Sequence, residues 1–78
     1  NKAERNIYYK TGEDYRLGRN GKLANTIQAV IAYDKALALD MNYKEAWASK
    51  ADVLWNQTKY QEALICVNRA LYIDPHYG

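Results

Sequence analysis

Cysteine, proline, histidine and phenylalanine are almost missing from these 78 residues, and each shortage excludes a class of explanation. The lone Cys66 rules out an intramolecular disulfide framework and mildly favours a reducing compartment, so a cytoplasmic setting is expected. The lone His76 follows the lone Pro75, and no acid or thiol stands beside it in a recognisable motif. No catalytic, cofactor-binding or metal-ligating residues are therefore expected, no cofactor is implied, and the chain does not read as an enzyme. No apolar run approaches the roughly 18 residues of a membrane span, and there is no secretory hydrophobic region. Asn1 stands where a Met would begin a chain, which is compatible with a segment of a longer protein.

Charge of one sign is also lacking. Residues 1–43 carry seven Lys/Arg against five Asp/Glu, and residues 44–78 carry four against four. That balance leaves no basic stripe for neutralising phosphates, so nucleic acid is not an expected partner. A chain of this length makes one small domain, 1–78, with a marginal core. Its bulk lies in Ala, Leu, Ile, eight Tyr and two Trp. Tyr and Trp bury a ring while keeping a polar atom near water.

What is present is a repeat. Residues 28–43 read QAVIAYDKALALDMNY and residues 62–77 read EALICVNRALYIDPHY, an echo at an offset of 34. Ala29, Ile31, Ala36, Leu37, Asp40 and Tyr43 recur as Ala63, Ile65, Ala70, Leu71, Asp74 and Tyr77. A fixed period of this length marks stacked helical units, each burying its apolar face against a neighbour.

Periodicity and caps predict four helices. Ala63, Leu64, Val67, Ala70 and Leu71 form one helical stripe, and Ala29, Val30, Tyr33, Ala36 and Leu37 form another. Thr58 with Gln61 is expected to make a capping box, Asn25 with Gln28 a weaker one, and Asn42 to cap a third helix bearing Trp47, Ala51, Leu54 and Trp55. Pro75 ends the last helix. Gln57, Thr58 and Lys59 are so short a link that the helices they join must be antiparallel. In the first helix Tyr8, Gly12 and Tyr15 keep helical spacing, although Gly12 costs about 1 kcal/mol relative to Ala. These three match Trp47, Ala51 and Leu54 at an offset of 39, not 34. Five extra residues in an irregular loop at about 18–25 reconcile the registers, giving unit one about 5–43 and unit two 44–77. The rival register sets Leu17 and Gly18 opposite Lys50 and Ala51, and so puts Gly21 inside a helix.

Trp47, Ala51, Leu54, Ala63, Val67, Ala70 and Pro75 give residues 44–77 a close resemblance to a tetratricopeptide repeat. That 34-residue pattern sets large and small residues at these spacings, so that two helices approach closely. Lys50 departs from it, standing where Leu is usual; its stem is expected along the apolar surface with its ammonium in water. Residues 10–43 resemble a degenerate copy, with Met41 in place of the proline. The resemblance implies an all-α fold, two antiparallel helix-turn-helix units of a right-handed superhelix, with a concave face lined by the first helix of each unit.

Members of that family usually bind extended peptides or partner helices on the concave face. The matching positions are Glu45, Ala48, Asp52, Trp55 and Asn56 in the second unit, and Asn6, Tyr9, Glu13, Arg16 and Leu17 in the first. Tyr9, Glu13 and Arg16 share a helical stripe, as do Ala48, Asp52 and Trp55. Trp55 is the expected anchor, set against the alternative that it packs on Tyr15 or a neighbouring repeat. The clamp that holds acidic chaperone tails needs Lys and Asn where Tyr9 and Glu13 stand, and Asn in place of Ser49, so a basic or apolar peptide is the better expectation. Cys66 reads as a small packing residue. An interaction scaffold leads. Self-assembly through uncovered stack ends is the alternative, with Tyr72, Ile73 or Tyr77 expected to be exposed or covered by another chain. A helix-turn-helix nucleic-acid binder is the third and weakest reading.

Overall fold

The computed structural model describes residues 2–76. Four α-helices follow one another, α1 (Lys2–Leu17), α2 (Thr26–Leu39), α3 (Lys44–Asn56) and α4 (Tyr60–Ile73), with no strand among the described residues. α1 packs on α2 and α3 on α4; α2 then packs on α3, while α1 only grazes it. The result is two helical hairpins laid side by side, measuring 35 × 32 × 19 Å.

The irregular connection of the first hairpin runs from residue 18 to residue 25. Gly18, Asn20 and Gly21 take positive φ angles of 68°, 56° and 78°, which glycine and asparagine tolerate best. The loop folds back on α1: Asn25 N–H reaches the Tyr15 carbonyl at 2.9 Å, and Arg19 and Asn20 side chains reach Asp14 Oδ1 at 3.1 and 2.9 Å. Asp14 is buried beneath them. Asn25 then caps α2, its side chain accepting from Gln28 N–H at 3.1 Å.

The other two expected caps do not form. Thr58 adopts φ +62° in the turn that closes α3, so its hydroxyl lies on the Gln57 carbonyl, and Lys59 becomes the cap of α4 without a side-chain bond. The tight link imposes this, because Thr58 and Lys59 N–H groups must reach back to the carbonyls of Trp55 and Leu54. Asn42 does not cap α3 either. Its N–H is taken by Asp40 Oδ1 at 3.0 Å, and Tyr43 stands at the cap.

Both hairpins are closed by the same ion pair. Arg5 meets Asp40 at 2.5 Å and Lys44 meets Asp74 at 2.6 Å. The cations are 39 apart and the carboxylates 34 apart, the two offsets of the repeat itself. In each case the second carboxylate oxygen accepts a backbone N–H two residues on, Asn42 in one and His76 in the other. The carboxylate thus ends one helix, ties it to the start of its partner and turns the chain.

Small residues set the helix spacing. Ala29, Ala36, Ala46, Ala51, Ala63, Cys66 and Ala70 are buried, with Leu37, Val53 and Leu54 filling between them. The closest approach is at Gly12, where an added Cβ would lie 2.5 Å from the Tyr33 ring. Tyr33 is wholly buried against Ala29 and Val53. Unit two makes the same crossing with Ala51 and Val67, trading one carbon added on one side for a ring removed on the other. Val67, however, is 39% exposed, because none of the described helices covers it as α3 covers Tyr33. Gly12→Ala is therefore expected to lower stability by about 1–3 kcal/mol through overpacking, against the ~1 kcal/mol that helix propensity would add. Tyr33→Val should also destabilise, and the double variant should lose less than the sum of the two in urea unfolding; strict additivity would remove the proposed contact.

Candidate functional surface

Side chains of α1 and α3 that share one side of the molecule form the candidate surface, and its two halves differ. In the first unit they are spent on one another. Glu13 accepts from the Tyr33 hydroxyl at 2.5 Å through Oε1, and from Arg16 Nη2 at 2.8 Å through Oε2. Burial pushes the Glu13 carboxyl up, but hydrogen bonds from Arg16, Tyr33 and Ser49 outweigh it and hold the carboxyl below its ordinary range. Burial, then the Glu13 carboxylate, push the Tyr33 phenol well above its usual value, so it stays a donor. Arg16 reaches across to Asp52 at 3.8 Å, linking α1 to α3.

Tyr9 is enclosed by aromatics. Its ring lies 5.9 Å from Tyr33 and 5.2 Å from Tyr43, and its hydroxyl is 3.4 Å from Ser49 Oγ. Asn6 accepts from the Tyr43 hydroxyl at 3.3 Å, and the Arg5 guanidinium lies 3.9 Å over the same Tyr43 ring. Tyr9, Glu13 and Arg16 are thus half-buried in the joint between the hairpins, and that joint is where α3 sits.

The second unit is open. Asp52 is 72% exposed at its side chain and Trp55 is 56% exposed. Trp55 does not pack on Tyr15; its ring meets Tyr60 edge-on at 4.6 Å, from across the α3–α4 turn. Asn56 is exposed at the end of α3, and Ala48 borders a shallow depression with Ser49, Asp52, Val67 and Leu71. Trp47 holds Met41 O through Nε1 at 2.8 Å and half-buries its ring. Lys50, set in apolar surroundings by the sequence, lies along Trp47 and pairs its ammonium with Asp34 at 2.6 Å. Cys66 is buried, which pushes its thiol up and leaves it unreactive. His76 and Tyr72 are exposed and Ile73 half-buried, while Tyr77 lies outside the described residues.

Sequence reasoning missed Tyr33, Ser49 and Asp14 as partners of the charged groups. The available signal was Tyr33 itself: a hydroxyl-bearing ring where the second unit has Val67 must find an acceptor when buried. Among the described residues no cluster of His, Cys, Asp and Glu could hold a metal ion, and no helix is long and apolar enough to cross a membrane.

Two laterally packed helical hairpins, with small residues at the crossings and a carboxylate clamp repeated at the hairpin ends, define a helical-repeat protein. The tetratricopeptide repeat pattern matches residues 44–77, so the second unit is a repeat of the tetratricopeptide type. The uncharacterized protein MJ0572 of Methanocaldococcus jannaschii is 33% identical over 75 residues, 96% of this chain and 79% of that protein. No solved structure matches significantly.

Four carboxylates, Glu13, Asp14, Asp40 and Asp74, have folded pKa values below their ordinary ones. Groups of this kind stabilise the fold above their unfolded pKa of about 4, and that contribution is lost as pH falls through the lower folded values. Melting temperature is expected to hold from neutral pH to about 5 and to drop below about 4. Asp74→Asn should lower the melting temperature at pH 7, since the folded state loses the carboxylate that holds Lys44 and the His76 N–H. It should also shrink the fall between pH 6 and pH 3. An acid limb as steep as the parent's would show that Asp74 is not one of the titrating groups.

Proposed function

We propose that this chain is a protein–protein interaction scaffold that takes a peptide segment on the α1–α3 side, with the second unit making the contact. The observation that carries this is the pairing of an exposed indole with an exposed carboxylate: Trp55, braced by Tyr60, beside Asp52. An aromatic held in place loses little conformational freedom on binding, and such residues dominate interface energies. A carboxylate one helical turn away favours a segment that places a basic residue next to an apolar one. Ala48 leaves room between α3 and the ligand, and Asn56 adds an amide at the rim.

Tyr9, Glu13 and Arg16 take a supporting part in this reading. Their hydrogen bonds hold the joint that fixes α3, and Arg16 orients Asp52 from the far side. The repeat match at residues 44–77 supports a protein partner in general, and a cytoplasmic setting fits the single buried thiol. Self-assembly is the second reading, supported by the apolar face of α4, where Leu64 is 53% exposed.

In a displayed peptide library, the parent chain should select sequences with a Lys or Arg beside an apolar residue. Trp55→Ala should weaken the selected peptides at least tenfold, and Asp52→Lys should reverse the preference for basic residues. Because Trp55 is more than half exposed, its substitution should leave the far-ultraviolet dichroism unchanged. Selected peptides indifferent to both changes would refute the assignment.

A further inference from the structure

The loop that distinguishes the first hairpin holds a reactive pair of residues. Of the chain's seven asparagines, only Asn20 precedes a glycine. Asn20 and Gly21 lie at the centre of a tight turn, with φ angles of 56° and 78° and the Lys22 N–H on the Arg19 carbonyl at 3.2 Å. Both central residues are exposed. An added Cβ at Gly21 would meet nothing within 4 Å, so no side chain screens the peptide nitrogen that follows Asn20. The Asn20 amide itself is engaged. Its Nδ2 donates to Asp14 Oδ1 at 2.9 Å, beside the bond from Arg19, and Asp14 is only 5% exposed. The bond from Asn20 is the foremost influence holding the Asp14 carboxyl below its ordinary range.

We propose that Asn20 is a self-modifying site, at which the Gly21 nitrogen displaces the side-chain amide and so destroys the latch that ties the loop to Asp14. The step needs only water and its hydroxide. Hydroxide removes the Gly21 N–H proton, the nitrogen lone pair attacks Asn20 Cγ, and a cyclic imide closes as the Cγ–Nδ2 bond breaks. Nδ2 takes a proton from water, which restores the hydroxide, and leaves as ammonia. Water then opens the imide at either carbonyl. Cleavage at Cγ leaves an aspartate, and cleavage at the backbone carbonyl carbon leaves an isoaspartate, with the chain running through the side chain. Nothing is oxidised or reduced; the chain gains water and loses ammonia.

The fold gives this reaction a consequence and a brake. A carboxylate has no N–H to donate, so Asp14 loses a buried partner and meets a like charge, with Arg19 and Lys22 as the cations beside it. Isoaspartate also adds a backbone carbon to a turn built on two successive positive φ angles, which costs the bond from Lys22 to Arg19. The brake is the latch itself. Ring closure requires the Asn20 side chain to rotate onto the Gly21 nitrogen, and the bond to Asp14 restrains that rotation until the loop opens locally. The chain thus keeps a one-way record of loop opening, in the insertion that unit two lacks. There Asn56 precedes Gln57, whose side chain hinders the same attack.

The test is incubation of the full chain at neutral pH, followed by proteolytic mapping with detection of isoaspartate. A mass gain equal to water less ammonia is expected at Asn20 and at none of the other asparagines. A peptide of residues 16–25, which lacks Asp14, should react at least tenfold faster than the folded chain. Asp14→Ala should react at least threefold faster than Asp14→Asn, which keeps an acceptor oxygen. Far-ultraviolet dichroism checks that both variants stay helical. Independently of them, Asn20→Asp should speed hydrogen exchange of the Lys22 and Asn25 N–H groups at least tenfold. Equal rates in chain and peptide would overturn the brake, and unchanged exchange in Asn20→Asp would overturn the latch. Gain spread over several asparagines, or none at Asn20 in chain and peptide alike, would overturn the site.

Discussion

Tyr33 has more depending on it than any other side chain. Its ring lies flat enough against α1 that only glycine fits at position 12, which sets how closely the first hairpin closes. The other side of the ring meets Val53, which fixes how the second hairpin leans on the first. Its hydroxyl is buried and donates to Glu13, and Glu13 in turn holds Arg16. Buried volume and a buried donor thus act through one residue. Packing alone would leave α1 and α2 free to slide on one another, and the short bond from phenol to carboxylate gives the first hairpin a register.

The two units solve the same closure problem with different means at one place and identical means at another. At the crossing, Gly12 and Tyr33 are replaced by Ala51 and Val67, a change of shape that preserves summed bulk only loosely. At the hairpin ends nothing is exchanged beyond Arg5 for Lys44, and the aspartates keep both roles. The clamp tolerates the 39-residue offset because it joins helix ends, whereas the five extra residues sit in the loop at the opposite end of the hairpin. An insertion there is absorbed by Asp14, which gathers Arg19 and Asn20 and so turns a longer connection into an ordered one.

This explains what could be read from the sequence. Ala29, Ala36, Ala63 and Ala70 repeat at a fixed offset because backbone approach permits few alternatives, so the helices, their pairing and the 18–25 loop were legible. The recurrence of Asp40 as Asp74 was visible too, but the cations they bind lie on helices in a different register, which hid the pairs. Thr58 and Asn42 misled for a local reason. Their side chains suit a cap, yet tight turns on either side of α3 had other uses for their backbones: a left-handed turn at Thr58 and an N–H taken by Asp40. Tyr9, Glu13 and Arg16 look in sequence like the outward stripe of an exposed helix. Only the arrival of Tyr33 from α2 and Ser49 from α3 shows that this stripe is occupied.

The two stripes therefore differ in chemistry even though they hold matching positions in the repeat. A charge that has already gathered its donors gains little from a ligand, since any new bond must replace an old one. Glu13, with Tyr33 and Arg16 on it, is in that condition. Asp52 has one distant cation and is otherwise in water, and Trp55 has an edge-on neighbour and an exposed face. Binding energy is available where groups are oriented but not yet satisfied, and on this chain that combination is found on α3. The first unit supplies the rigidity and the second the unsatisfied groups. Under the proposed reading, loosening Tyr33 would weaken peptide binding at Trp55 by letting α3 move, without altering Trp55 or Asp52 themselves.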